Sequence, residues 1–214
     1  MLRTISADEL KSMREKHANL ELLDLRPVSE FMQGSIEGAL NLPQDEPDFL
    51  TNLKKIWPKP GPVVLIPVIH DVPGAVLSAI DAVGGNVMGT VQVHEWAAKN
   101  YPVTKITPIS LDEVLQDNDE FRLVDVRTLE EWQKRQIPGS VNLPLSELEM
   151  ARSTLNPTQE HVVFCAGVYR GIAGTAKLAA MGFPVRYLSG GVSAWYEHVS
   201  KVETQSNKVE GRVI

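Results

Sequence analysis

A chain of 214 residues has room for one large or two small domains, and its single cysteine rules out an internal disulfide, so nothing argues for secretion. A formal net charge of −6, with no long Lys/Arg cluster, excludes a nucleic-acid footprint. The polar start lacks a signal-peptide core, and the longest apolar run, Val63 to Ile69, is far too short to span a bilayer. A cytoplasmic protein with no membrane partner is the expectation.

Read from the N-terminus, the chain repeats itself. Ile5-Ser6-Ala7-Asp8-Glu9-Leu10 returns as Ile109-Ser110-Leu111-Asp112-Glu113-Val114. Each copy reads as a capping box, in which the Ser takes a backbone N–H and the Glu reaches back. Leu22-Leu23-Asp24-Leu25-Arg26 returns as Leu123-Val124-Asp125-Val126-Arg127. Ile36-Glu37-Gly38-Ala39-Leu40-Asn41-Leu42-Pro43 returns as Ile137-Pro138-Gly139-Ser140-Val141-Asn142-Leu143-Pro144. Val63-Val64-Leu65 matches Val162-Val163-Phe164, and Trp96 matches Trp195. The expected division is one copy over 1–101, a second over 106–200 and a polar tail over 201–214, either disordered or strapped back across the other copy. The join falls between Asn100 and Pro108, where Pro102 and Pro108 interrupt any helix.

Strands are expected at Leu20–Leu25, Ala39–Leu42, Val63–Pro67 and Asn86–Met88 in the first copy. Phe121–Val126, Ser140–Leu143, His161–Cys165 and Val185–Leu188 are their counterparts in the second. Their alternation with helical stretches gives an α/β class: two domains, each a mostly parallel sheet flanked by helices. Asp24 with Arg26, and Asp125 with Arg127, are expected to pair structurally, at the sheet edge or between loops. Lys54-Lys55 reads as a solvated helix face, and Trp57 as packing at the domain interface. The histidines have no metal-ligand spacing, and no phosphate loop or Ser/His/Asp elbow is present, so neither metal nor cofactor is expected.

The stretch His161 to Trp195 carries the chemistry. An apolar strand ends at Cys165, a loop Ala166-Gly167-Val168-Tyr169 follows, then Arg170 and a small-residue helix that stops at Gly182. Backbone N–H groups at such a strand-to-helix loop favour an anion. A thiol held there is expected to be more acidic than a free one, and the thiolate is the reactive form. Gly167 is expected to supply a conformation that a Cβ would resist. Arg170 is expected to add a positive charge at the rim. Gly171, Ala173, Gly174 and Ala176 let the helix sit close to the sheet. The plainer alternative is a buried strand cysteine. In the first copy Ile66 falls at the position of Cys165 and Asp71 at that of Arg170, while Pro67 and Pro73 remove backbone donors. That copy has no nucleophile, and its expected job is to cover one side of the second copy's mouth. His70 and Asp71 would be a polar remnant or simply exposed.

These residues resemble the rhodanese (sulfurtransferase) family over nearly all of residues 106 to 200. The matching features are Asp125-Val126-Arg127, Glu131-Trp132, Ile137 to Pro144, the loop Cys165 to Arg170, and Gly190-Gly191 with Trp195. Arg135-Gln136 replaces the usual Gly-His, and the loop glycine, Gly167, sits third where the family usually has it fourth. The loop matches neither the thiosulfate nor the mercaptopyruvate version.

The resemblance implies a tandem enzyme in which Cys165 takes sulfur from a small-molecule donor, thiosulfate or a mercapto acid. The persulfide would be held by N–H groups from Ala166 to Gly171 and passed to cyanide or a thiol, which can belong to a protein. Ping-pong kinetics would follow. A related phosphatase would need a loop one residue longer and a His where Phe164 stands. The remaining alternative is a non-catalytic sulfur carrier or partner-binding module.

Overall fold

The computed structural model describes residues 2–69, 71–116 and 120–210, with 203–210 described by their backbone alone. In its first half, helices α1 (Ala7–Lys16), α2 (Val28–Gln33), α3 (Phe49–Ile56), α4 (Gly74–Ala82) and α5 (Val93–Ala98) alternate with strands. These strands are β1 (Glu21–Asp24), β2 (Ser35–Ile36), β3 (Leu40–Asn41), β4 (Pro62–Ile66), β5 (Asn86–Thr90) and β6 (Val103–Thr104). The second half contains β7 (Pro108–Ile109), α6 (Leu111–Gln116), β8 (Phe121–Asp125), α7 (Leu129–Lys134) and β9 (Val141–Asn142). A 3₁₀ turn (Leu145–Met150), α8 (Ala151–Thr154), β10 (Glu160–Phe164), α9 (Tyr169–Ala180), β11 (Val185–Leu188) and α10 (Gly191–Glu210) complete it.

The sheets are parallel, with orders β3-β1-β4-β5 and β9-β8-β10-β11-β7. A bridge from Thr4 to Thr90 gives the first sheet the counterpart of β7. β10 shows why such strands read as unbroken apolar runs: His161 through Phe164 are all buried, as a parallel sheet covered on both faces requires. A short antiparallel pair, β2 with β6, was not legible as strands. It ties the connecting segment to the first half, where Ile106 joins the core.

The repeated motifs fold alike. Arg26 grips the Asp24 carboxylate at 2.6 Å, and Arg127 grips Asp125 at the same distance. Each guanidinium also donates to a loop carbonyl, that of Gly34 or Arg135. Asn41 donates to the carbonyls of Asp24 and Arg26, and Asn142 to those of Asp125 and Arg127. These charged residues therefore hold the loops at the carboxyl ends of β1 and β8, central strands rather than lateral edges. Arg135-Gln136 is accommodated by Tyr196, whose ring lies 3.5 Å from the Arg135 guanidinium and whose hydroxyl donates to the Gln136 carbonyl.

Capping differs between copies. Ser110 and Glu113 form the reciprocal box. Ser6 accepts from Glu9 N, but the Glu9 carboxylate pairs with Arg3 instead of reaching back. Trp57 is buried in the first core at the end of α3 and also lines a cleft between the halves. Residues expected in the tail continue α10 to Glu210, while 211–214 and His70 lie outside the described residues. Among the described residues no helix is long and apolar enough to cross a membrane.

Helix α9 joins the two halves. Ile172 and Ala176 pack with Ile5, Phe31 and Trp96 of the first half, and Ala173 packs with Leu23 and Leu40. Its other side touches its own sheet: a Cβ on Gly174 would lie 2.8 Å from Val126 Cγ1. A helix buried on both sides this way needs small residues all round. Lys177 adds an ion pair at 2.7 Å to Glu21 on β1.

Candidate active site

Cys165 is the residue after β10, 2% exposed. The loop after it is short. α9 begins at Tyr169, so Arg170 lies inside the first helical turn rather than before it. Gly171 N donates to Cys165 Sγ at 3.2 Å. This is one of the unpaired amides that a helix start offers. The loop carbonyls are drawn elsewhere, with Ala166 O accepting from Ser193 Oγ at 3.1 Å and Gly167 O from Tyr187 OH at 3.3 Å. Ala166 is half-buried, while Gly167 and Val168 are exposed.

Two glycines explain local motifs, and a third corrects an expectation. Val192 N donates to Cys165 O at 2.9 Å, which presses the backbone of Gly191 against the cysteine. A Cβ on Gly191 would lie 2.1 Å from Cys165 O, and its φ is +51. Only glycine fits there. A Cβ on Gly171 would lie 2.7 Å from the Tyr187 ring. Gly167 is different from what its sequence position implies: its φ is not positive and a Cβ would meet nothing within 4 Å.

The expected acidity of the thiol is also corrected. Burial pushes the Cys165 thiol up from its ordinary value, and the Gly167 and Gly171 amides and Arg170 pull it down less strongly. Arg170 is weakened in this role because it is not free. Its two terminal nitrogens lie 2.6 and 2.7 Å from the two oxygens of Glu131, and its side chain is 14% exposed. Arg170 holds the Glu131 carboxyl down to about 2, and that carboxylate also closes a capping box with Thr128 that sequence reading missed. Glu131 therefore ties the start of α7 to the start of α9, while Trp132 Nε1 donates to Ser140 Oγ at 3.1 Å.

The site is shared between the halves. Cys165 through Arg170 line a cavity of about 300 Å³ together with Asn52, Lys55 and Ile56 of α3. The Tyr169 hydroxyl donates to Glu46 in the first half, whose other oxygen accepts from Asn52 at 3.1 Å. Burial and the Glu46 carboxylate push the Tyr169 phenol well up. Burial and the neighbouring Cys165 push Tyr187 up to about 12. Glu46 and Asn52 were invisible in sequence, and Lys55, read there as part of a solvated helix face, lines the cavity instead, because nothing local announces a contact across the repeat.

The position matching Cys165 in the first half shifts by one residue. Asp24 pairs in register with Ile66, as Asp125 does with Phe164. Pro67, not Ile66, therefore follows the strand where Cys165 does. The charge reversal expected at Asp71 also lapses, because α4 begins only at Gly74 after β4 ends at Ile66, whereas α9 begins at Tyr169 after β10 ends at Phe164, so Asp71 and Arg170 do not correspond. Proline offers neither a nucleophile nor an N–H.

A family model for the rhodanese-like domain matches residues 6–75 and 107–198. The chain is 31% identical over 97 residues to a sulfurtransferase of Allochromatium vinosum, covering 45% of this chain and 91% of that protein. It is 29% identical over 110 residues to thiosulfate sulfurtransferase 18 of Arabidopsis thaliana, covering 44% of this chain and 79% of that one. A thiosulfate sulfurtransferase structure from Pseudomonas aeruginosa is 20% identical over 92% of this chain and 42% of its own, with a TM-score of 0.38.

Proposed function

The chain belongs to the rhodanese-like domain family, and from that premise we propose that it is a sulfurtransferase working through a Cys165 persulfide. The observation that carries the reading is a lone thiol between β10 and α9, accepting the Gly171 N–H from the first turn of α9 and lining a cavity built by both halves.

The chemistry follows from the geometry. The Cys165 thiolate attacks the outer sulfur of thiosulfate. A new S–S bond forms at Cys165, the old one breaks, and sulfite leaves with its electron pair. The persulfide anion would lie beside the Gly171 amide, in the cavity that Ala166 to Arg170 line. Cyanide or a thiolate then attacks the outer sulfur and frees the Cys165 thiolate. A 3-mercapto-2-oxo acid would donate by attack of the Cys165 thiolate on its thiol sulfur, the C–S bond breaking and the oxo acid leaving as its enolate, which is then protonated. Glu131 and Arg170 keep the loop in place rather than meeting the donor first. With one cysteine in the chain, an external acceptor must discharge the persulfide.

Thiocyanate formation at varied thiosulfate and cyanide tests this. Parallel double-reciprocal lines, absent with Cys165→Ser, are expected. Intersecting lines, or turnover that survives Cys165→Ser, would overturn it. The sulfur-carrier reading becomes preferable if Cys165 accepts one sulfur but no small acceptor removes it.

A further inference from the structure

Two cations line the cavity in front of Cys165, Arg170 and Lys55. Both oxygens of Glu131 engage Arg170. Lys55 is exposed, and among the described residues no carboxylate forms an ion pair with it. It sits in the last turn of α3, where the helix end favours a cation without a partner. Asn52, one turn earlier, is tied through Glu46 to Tyr169, so α3 is held against the cysteine loop. An anion approaching Cys165 therefore meets Lys55 as the one cation of the described lining that no carboxylate neutralises.

We propose that Lys55, supplied by the half without a nucleophile, is the residue that draws in and orients the anionic group of the sulfur donor. The group it would meet is the sulfonate-like or carboxylate charge beside the transferable sulfur of the donors proposed above. The Lys54-Lys55 pair divides accordingly, Lys54 being a solvated residue and Lys55 a cavity residue. Identifying the anion as a donor rests on the sulfurtransferase reading, whereas the cation itself does not.

The test uses the full chain and its only thiol. Alkylation of Cys165 is followed by intact mass with iodoacetate, an anion, and with iodoacetamide, its neutral counterpart. Lys55→Gln should lower the iodoacetate-to-iodoacetamide rate ratio by about fivefold, the effect of one contact-distance charge in water. Iodoacetamide alone should react at the wild-type rate, Lys55→Arg should restore the ratio, and Lys54→Gln should leave it alone. Added salt should shrink the difference. The KM for thiosulfate should rise by a similar factor with kcat unchanged. An unchanged ratio in Lys55→Gln overturns the assignment, even where sulfur transfer proceeds. A lowered ratio in a chain that transfers no sulfur upholds the cation and overturns the sulfurtransferase reading instead.

Discussion

Gly191→Ala puts a methyl group where the structure leaves no room for one. Its Cβ would fall 2.1 Å from Cys165 O, and its backbone would keep a φ of +51. The left-handed conformation costs a residue with a side chain about 1–2 kcal/mol. Forcing the backbone off Cys165 adds about 1–3 kcal/mol, as overpacking of a filled site does. The sum, about 2–5 kcal/mol, is a large part of a total stability of about 5–15 kcal/mol. Gly182→Ala is the internal control. Its φ is +90, but a Cβ there meets nothing within 4 Å, so only the conformational cost applies. Urea denaturation of both variants separates the two contributions. Gly191→Ala should lose more stability than Gly182→Ala and should also slow alkylation of Cys165, whose carbonyl it displaces. Equal losses in the two variants would refute the claim that Gly191 is needed to let α10 start against the cysteine.

Three further outcomes are expected. Asp125→Ala leaves Arg127, with a side chain 5% exposed, without its buried carboxylate, and should cost about 3–5 kcal/mol in a denaturation experiment. Burial raises the Cys165 thiol above its ordinary value, so the rate of persulfide formation should climb about tenfold per pH unit between about pH 7 and 9; a plateau already near pH 7 would contradict this. Burial lowers His161 below its ordinary 6.5, so the folded state favours the neutral ring while the unfolded chain binds the proton more readily. That stabilising preference is complete above pH 6.5 and is lost as the pH falls below it. Denaturation midpoints should therefore drop on acidification, and His161→Gln should flatten the drop.

The repeat made most of the fold legible. Asp24 and Asp125, Asn41 and Asn142, and the apolar strands beside them occur twice at matching spacings because they make the same loop contacts twice. β1, β4, β8 and β10 lie within one residue of their expected bounds, because each is built around a short apolar run, the mark of strands covered on both faces. The one-residue slip at Ile66 has the same origin. Val63 through Ile66 are all apolar, so similarity alone cannot fix which residue ends the strand. Pairing with Asp24 fixes it. At the site, Cys165, its loop and the small-residue helix were readable because their chemistry is local. Glu46, Asn52, Lys55 and the Glu131 partnership were not, because each acts across more than one element. The thiol's acidity was misjudged for a related reason: sequence offers both a helix start and a buried strand cysteine, but not that burial outweighs the amides or that Glu131 holds the charge of Arg170.

Intact mass after exposure to thiosulfate tests the central claim most directly. The account predicts a gain of one sulfur on the full chain, reversed by cyanide and absent in Cys165→Ser. Thiosulfate consumption with no sulfur on the chain, or a gain that persists in Cys165→Ser, would contradict it.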